Sequence, residues 1–334
     1  MFPKKERAKA PMNKAPAAIK IDPAGAIIIA QGKSAKSLAS NPTGPRKPMN
    51  RTEFLQQPEV AGFTDWLAAT LPQRQIQLDI RASTYVPKGL KATTCFADLV
   101  PHHYRWRATG LTTGDWAESC AKTAALSARL RAAVQAGDAA ATLAACSDVL
   151  DWGGERNPKE GARPFLVGLG NHISHYIAQT HQEMALGTAN LRSGFPTVQL
   201  MNSMLTKVHA FYSAEGLPIY DSRVSAAAAA LVEFWRRHSR TRQLPDTLSF
   251  PLAGGSQKPQ HKLACLFDQP PSPGTLLYTS QGTPQRWAGA KVRLAWVMAE
   301  TLRKTPGLFA TQSDRMRAME ASLFMVGYDL NCLA

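Results

Sequence analysis

Residues 205–224 read LTKVHAFYSAEGLPIYDSRV. Leu205, Val208 and Phe211 recur at helical spacing, so the first half predicts a helix with one apolar face. Lys207 stands inside that apolar run. The turn SAEGLP then stops the helix, and Asp221 or Ser222 opens the alanine-rich run RVSAAAAALVEFWRRH as its N-cap. Two core helices joined by a tight turn bring a cation and an anion, fourteen positions apart, to the same end of the pair. As structure alone, Asp221 is a cap and Lys207 a snorkelling surface lysine. As chemistry, a lysine buried among Met204, Leu205, Val208 and Phe211 loses the hydration that stabilises its charge, and its pKa falls. The neutral amine is a nucleophile for a sugar C1′ or a carbonyl carbon and forms Schiff bases. A carboxylate at a helix N-terminus is held as the anion, suited to stabilise an oxocarbenium-like centre or to move a proton.

The rest of the chain is consistent with a helical globule. It has 334 residues, 44% of them hydrophobic, enough for one large or two ordinary domains. Residues 1–50 are rich in Lys, Pro, Ala, Ser and Gly, with Glu6 and Asp22 as the only acids, which predicts a disordered basic arm. Residues 51–114 form a mixed segment. TEFLQQPEVAGFTDWLAATLP predicts short helices, while RQIQLDIRASTYVP and HHYRWRATG alternate and predict strands. From 115 to 334 the signals are helical. Asp115 with Glu118 reads as a capping box, Asp138 caps the next helix, and ARPFLVGLGNHISHYIAQTHQEMALG reads as one helix or as two interrupted near Gly168 and Gly170. Pro196 is expected to start PTVQLMNSMLTKVHAFY, Asp314 or Ser313 caps RMRAMEASLFMVG, and a Pro/Gly-rich loop at 244–285 precedes a long helix ending at Lys304. The expected fold class is mainly α, with a minor β element near the N-terminal edge.

Charge and cysteine usage narrow the function. A formal net charge of +15 favours a polyanionic partner: DNA, RNA or an acidic membrane face. The five cysteines are scattered without a C-x-x-C pair, which argues against a zinc ribbon, a cysteine-held cluster and a disulfide framework, and for a reducing cytoplasm. His172 and His175, at i and i+3 with His181 beyond, lack an acid or cysteine to complete a metal set. No metal and no cofactor is expected. No stretch approaches a membrane span.

The pattern TKV…PIYDSRV resembles the helix-hairpin-helix DNA glycosylase superfamily, with its closest likeness to the 8-oxoguanine DNA glycosylase branch and bacterial relatives of that fold. The likeness covers about residues 195–237. It implies a helix-hairpin-helix glycosylase-like helical globule. Lys207 would then attack C1′ of a nucleotide flipped out of double-stranded DNA, and Asp221 would assist. The base leaves, and the Schiff base can lead to strand nicking. The substrate implied is a modified purine such as 8-oxoguanine, or a modified base in foreign DNA as in phage defence. The family's hairpin carries glycines whose backbone N–H groups grip a phosphate. Here the same positions read MNSMLTK (201–207), without glycine, so Asn202, Ser203 and Thr206 become the candidate grip. The Lys-to-Asp separation is also shorter than the family's.

Further DNA contacts are expected from Arg223 and from Arg236, Arg237, Arg240 and Arg242, with Arg286, Lys291 and Arg293 extending the strip; arginine forks suit phosphate oxygens, although cations also favour a helix C-terminus. Trp152, in DWGGERN, is the candidate wall of a base pocket. HHYRWR mixes aromatic and basic residues as nucleic-acid surfaces do. The alternative is a non-catalytic nucleic-acid-binding protein of the same fold.

Overall fold

The computed structural model describes residues 20–21, 27–28, 49–155, 159, 161–253, 275–276 and 283–333. The chain divides into two units, residues 1–46 and 47–334. In the first, β1 (Lys20–Ile21) pairs antiparallel with β2 (Ile27–Ile28), within the stretch expected to be a structureless arm; its other residues lie outside those described. The second unit takes in both the mixed segment and the helical region. The boundary expected at 114 does not separate them, because Phe54, Phe63, Ile76 and Phe96 share one hydrophobic core with the later helices.

The second unit is mainly helical. Helices α1 (Arg51–Leu55) and α2 (Pro58–Thr70) lead into a β-hairpin of β3 (Gln75–Ile80) and β4 (Leu90–Cys95). Pairing runs from Gln75 opposite Cys95 to Ile80 opposite Leu90, so Ile76, Leu78 and Ile80 point inward in strict alternation. The alternation in HHYRWRATG has a different outcome from the expected strand. Part of it forms α3 (Leu99–His103). The rest is extended without a ladder, burying Tyr104, Trp106 and Ala108 and turning Arg105 and Arg107 outward. The strand that pairs with β3 is LKATTC, whose threonines favour a strand.

Then come α4 (Trp116–Gln135), α5 (Ala139–Trp152), α6 (Ala162–Gly168), α7 (Ile173–Glu183), α8 (Leu205–Tyr212) and α9 (Ser222–His238). Asp115 caps α4 through the Glu118 amide. The Glu118 carboxylate turns away from a capping box and accepts the Thr112, Thr113 and Gly114 amides. The helix expected from Pro196 begins only at Leu205, because Asn202 Oδ1 accepts the Met204 and Leu205 amides and supplies the start signal there. A parallel contact of β5 (Leu252–Ala253) with β6 (Thr275–Leu276) precedes α10 (Thr283–Lys304) and α11 (Arg315–Val326). No described helix is long and apolar enough to cross a membrane.

The core gathers on α9. Val224 to Glu233 are all buried, five of them consecutive alanines (Ala226–Ala230), whose small side chains let α11 and α2 approach closely. α11 meets the start of α9 at Gly327, where a Cβ would stand 2.2 Å from the Arg223 carbonyl oxygen. Backbone cannot yield there as a flexible side chain can. Gly327→Ala is expected to lower stability by about 1–3 kcal/mol, the range for overpacking. Urea unfolding measures it, and an unchanged midpoint would contradict this packing.

Candidate active site

Four helices and two loops converge on one cavity with an open mouth. α4 presents Trp116, Ser119 and Thr123 at i, i+3 and i+7; α11 presents Arg317, Glu320, Ala321 and Phe324 at i, i+3, i+4 and i+7; α8 presents Lys207 and Phe211 at i and i+4. Each set is one helix face. Tyr104 and Trp106 come from the extended segment after α3, Trp152 from the end of α5, and Ile219 and Asp221 from the turn before α9. Six of the fourteen lining residues are aromatic and six others carry a hydroxyl or a charge, so flat apolar walls alternate with polar groups. The Trp152 indole lies 4.9 Å from the Phe211 ring centre, and its Nε1 is buried without a hydrogen-bond partner.

Lys207 and Asp221 meet here. Each is 5% exposed, and Lys207 Nζ stands 3.8 Å from Asp221 Oδ2. The carboxylate divides its work. Oδ1 caps α9, accepting the Arg223 amide at 2.9 Å and the Val224 amide at 3.1 Å, while Oδ2 faces the amine. The amine donates to the Ser203 carbonyl at 2.8 Å. Burial pushes the Lys207 pKa down, the Asp221 carboxylate pushes it back up, and the Arg223 guanidinium adds to the fall. Its methylenes run over Gly153, where a Cβ would sit 2.6 Å from Lys207 Cδ. This gives the first glycine of DWGGERN a reason; Arg156 and Asn157 of that stretch lie outside the described residues.

A second carboxyl was not anticipated from the sequence. Glu320 Oε2 accepts the Ile219 amide at 2.9 Å, and the group pairs with Arg317. Burial raises its pKa, against the lowering effect of Arg317. Its position in RMRAMEASLFMV was the available signal: a lone acid within a run, 318–326, of otherwise apolar or small residues that are all buried.

The candidate nucleic-acid contacts separate into groups. Asn202 and Ser203 flank Lys207 as helix-start residue and carbonyl acceptor. Thr206 is fully buried and its Oγ1 accepts the Tyr220 amide, so it cannot reach a phosphate. The Arg223 guanidinium lies over the rings of Trp106, Phe324 and Tyr328, 4.0 Å from the last centroid, a cation–π setting inside the fold. Arg236 and Arg237 both pair with buried Glu233, and Arg236 also closes the helix end by donating to the Thr241 and Arg242 carbonyls. Arg240 takes the left-handed conformation (φ 56°) just past the helix and is exposed, as is Arg242. This cluster is one helix length, about 25 Å, from Asp221. The proposed extension of the strip does not form, since Lys291 is fully buried and Arg293 donates to the Asp246 and Ser249 carbonyls. His172 and His175 are exposed, and His181 packs edge-on to Tyr212.

No protein family, curated protein or solved structure matches the chain.

The electrostatics set a measurable order. In protein labelled at the lysine ε-carbons, the Lys207 resonance should titrate below the ordinary lysine range and be missing from Lys207→Met. Asp221→Asn keeps a capping side chain but removes the anion that favours the charged amine, so the midpoint should fall further. A rise would contradict the arrangement. Gly153→Ala should displace the lysine stem and lengthen the Nζ–Oδ2 separation beyond 4 Å in a crystal structure of the variant; an unmoved stem would refute the close fit.

Proposed function

We propose that the chain is a DNA glycosylase with associated lyase chemistry, in which Lys207 is the amine nucleophile and Asp221 the assisting carboxylate. The observation that carries this reading is the buried Lys207–Asp221 pair in the aromatic-lined cavity. A flat, hydrogen-bonding heterocycle suits such walls, because stacking accepts any base and the polar groups select among them. Trp152 Nε1 offers an unused donor, and the Glu320 carboxyl a second polar contact. The amine adds to C1′ as the glycosidic bond breaks, and the base leaves with the bonding electrons and a proton. Asp221 offsets the positive charge that develops on the sugar. The iminium that follows is the branch point for strand nicking. The resemblance carried by Lys207 and Asp221 makes the substrate a modified base in duplex DNA, reached by flipping, and the chain's net charge of +15 suits that partner.

A second reading has one observation of its own. The amides of Met204 and Leu205, where the family's hairpin would hold a phosphate, are already taken by Asn202 Oδ1. A protein of this fold that binds nucleic acid without catalysis would show salt-dependent binding and no covalent adduct.

Borohydride reduction in the presence of duplexes carrying 8-oxoguanine, other modified bases or an abasic site separates the two. An adduct lost in Lys207→Ala, with base release reduced by about 10²-fold or more in Asp221→Asn, is the expected result. Binding without adduct or base release across the panel supports the second reading and sinks the first.

A further inference from the structure

Lys291 of α10 is fully buried, and its Nζ donates to the Thr206 carbonyl at 2.7 Å. One turn earlier on the same helix, Trp287 Nε1 donates to the Tyr220 carbonyl at 2.9 Å. Thr206 and Tyr220 are the residues immediately before Lys207 and Asp221. They are also joined to each other, since the Tyr220 amide donates to Thr206 Oγ1 at 2.9 Å. Two donors on one face of α10 therefore hold the backbone ahead of both site residues, and the two backbones hold one another.

This clamp bears on the distance at the site. A free ammonium–carboxylate pair closes to about 2.7–2.9 Å, whereas Lys207 Nζ and Asp221 Oδ2 stand 3.8 Å apart. The Lys207 amine is held on the Ser203 carbonyl of its own segment, so the gap follows from where α8 is set against the start of α9, and the shared attachment to α10 sets both. We propose that Lys291 is a positioning residue which, with Trp287, holds the Lys207 amine off the Asp221 carboxylate and so keeps its lone pair available. The inference rests on the reading of Lys207 as the nucleophile.

The charged surroundings make the direction definite. Asp221 and Arg223 from the start of α9 and Glu320 from α11 act on Lys207. Lys207 and His209 of α8, His181 of α7, and Arg317 and Glu320 of α11 surround Lys291. Glu320 is already engaged by Arg317 and the Ile219 amide. Asp221 is then the anion on which a released Lys207 closes, and closing favours the charged amine.

The test compares Lys291→Met, Lys291→Gln and Trp287→Phe by the Lys207 ε-carbon titration and by the pH profile of borohydride trapping on abasic-site DNA. Lys291→Met should raise the Lys207 midpoint by about one unit, reducing trapping about tenfold below that midpoint, with recovery above it. Lys291→Gln removes the amine but keeps an N–H donor, and should stay within about threefold of the parent. Trp287→Phe, which alters no charge, should shift the midpoint upward too, and it carries the test should Lys291→Met fail to fold. An unmoved midpoint in both Lys291→Met and Trp287→Phe, trapping reduced equally at every pH, or a shift in Lys291→Gln as large as in Lys291→Met would overturn the proposal. The titration needs no DNA. Absence of any adduct with the parent protein would therefore count against the glycosylase reading, while the titration still decides the positioning role.

Discussion

Four ionisable side chains, Lys207, Asp221, Lys291 and Glu320, are withdrawn from water within one small region, and the arrangement of the surrounding helices answers that cost. Burying an ion costs several kcal/mol unless hydrogen bonds replace its hydration. The replacements here all involve one stretch of backbone. Lys207 donates to the carbonyl of Ser203 and Lys291 to that of Thr206. Asp221 accepts the amides of Arg223 and Val224, and Glu320 accepts that of Ile219. Residues 203–224 therefore serve as the polar lining of an otherwise apolar interior. α9 buries its alanines, α10 and α11 carry the opposing lysine and glutamate, and Lys207, Asp221 and Glu320 reach the cavity beside this lining.

The two lysines and the two carboxyls are treated differently by the same burial. Burial favours the neutral amine at Lys207 and more strongly at Lys291, and it favours the protonated acid at Glu320. Asp221 caps the N-terminus of α9, accepting the Arg223 and Val224 amides. Burial pushes the Lys207 amine toward its neutral form beside a carboxylate 3.8 Å away, so no tight ion pair forms between them. Groups whose environments push their ionisation apart are the usual basis of acid–base division of labour. The same surroundings leave His209, fully buried and with neither ring nitrogen bonded, held well below the ordinary histidine range by burial.

Local signals in the sequence were enough for much of the fold. Asp115, Asp138, Asp221 and Asp314 each cap the helix that follows, because a short acceptor before an apolar-periodic run has one geometrical use. The alternation in QIQLDI likewise became β3. What stayed hidden was long-range. Nothing in the spacing of Lys291 separates a buried lysine from an exposed one, since both sit on amphipathic helices, and its acceptor is 85 residues away. Tyr104 and Trp106 alternate with Arg105 and Arg107 as a strand would, yet their aromatic side faces a cavity rather than a paired sheet. The arginines in the last turn of α9 and just beyond it matched a phosphate pattern and a helix-end pattern equally well. Tertiary pairing with Glu233 and the Thr241 and Arg242 carbonyls decided it for Arg236.

The segment MNSM shows how the same local need can be met in two ways. A chain that enters a helix must satisfy its first amides, and glycines meet this by leaving them open to an outside acceptor. Here Asn202 supplies the acceptor from within, closing the Met204 and Leu205 amides and fixing where α8 begins. That start point places Lys207 in the first turn, where its side chain folds back along its own helix to the Ser203 carbonyl and across Gly153. The closed amides and the placement of the amine are thus two consequences of one asparagine. Any grip on a phosphate backbone has to come from elsewhere on the basic surface, while the geometry at Lys207 stays independent of it.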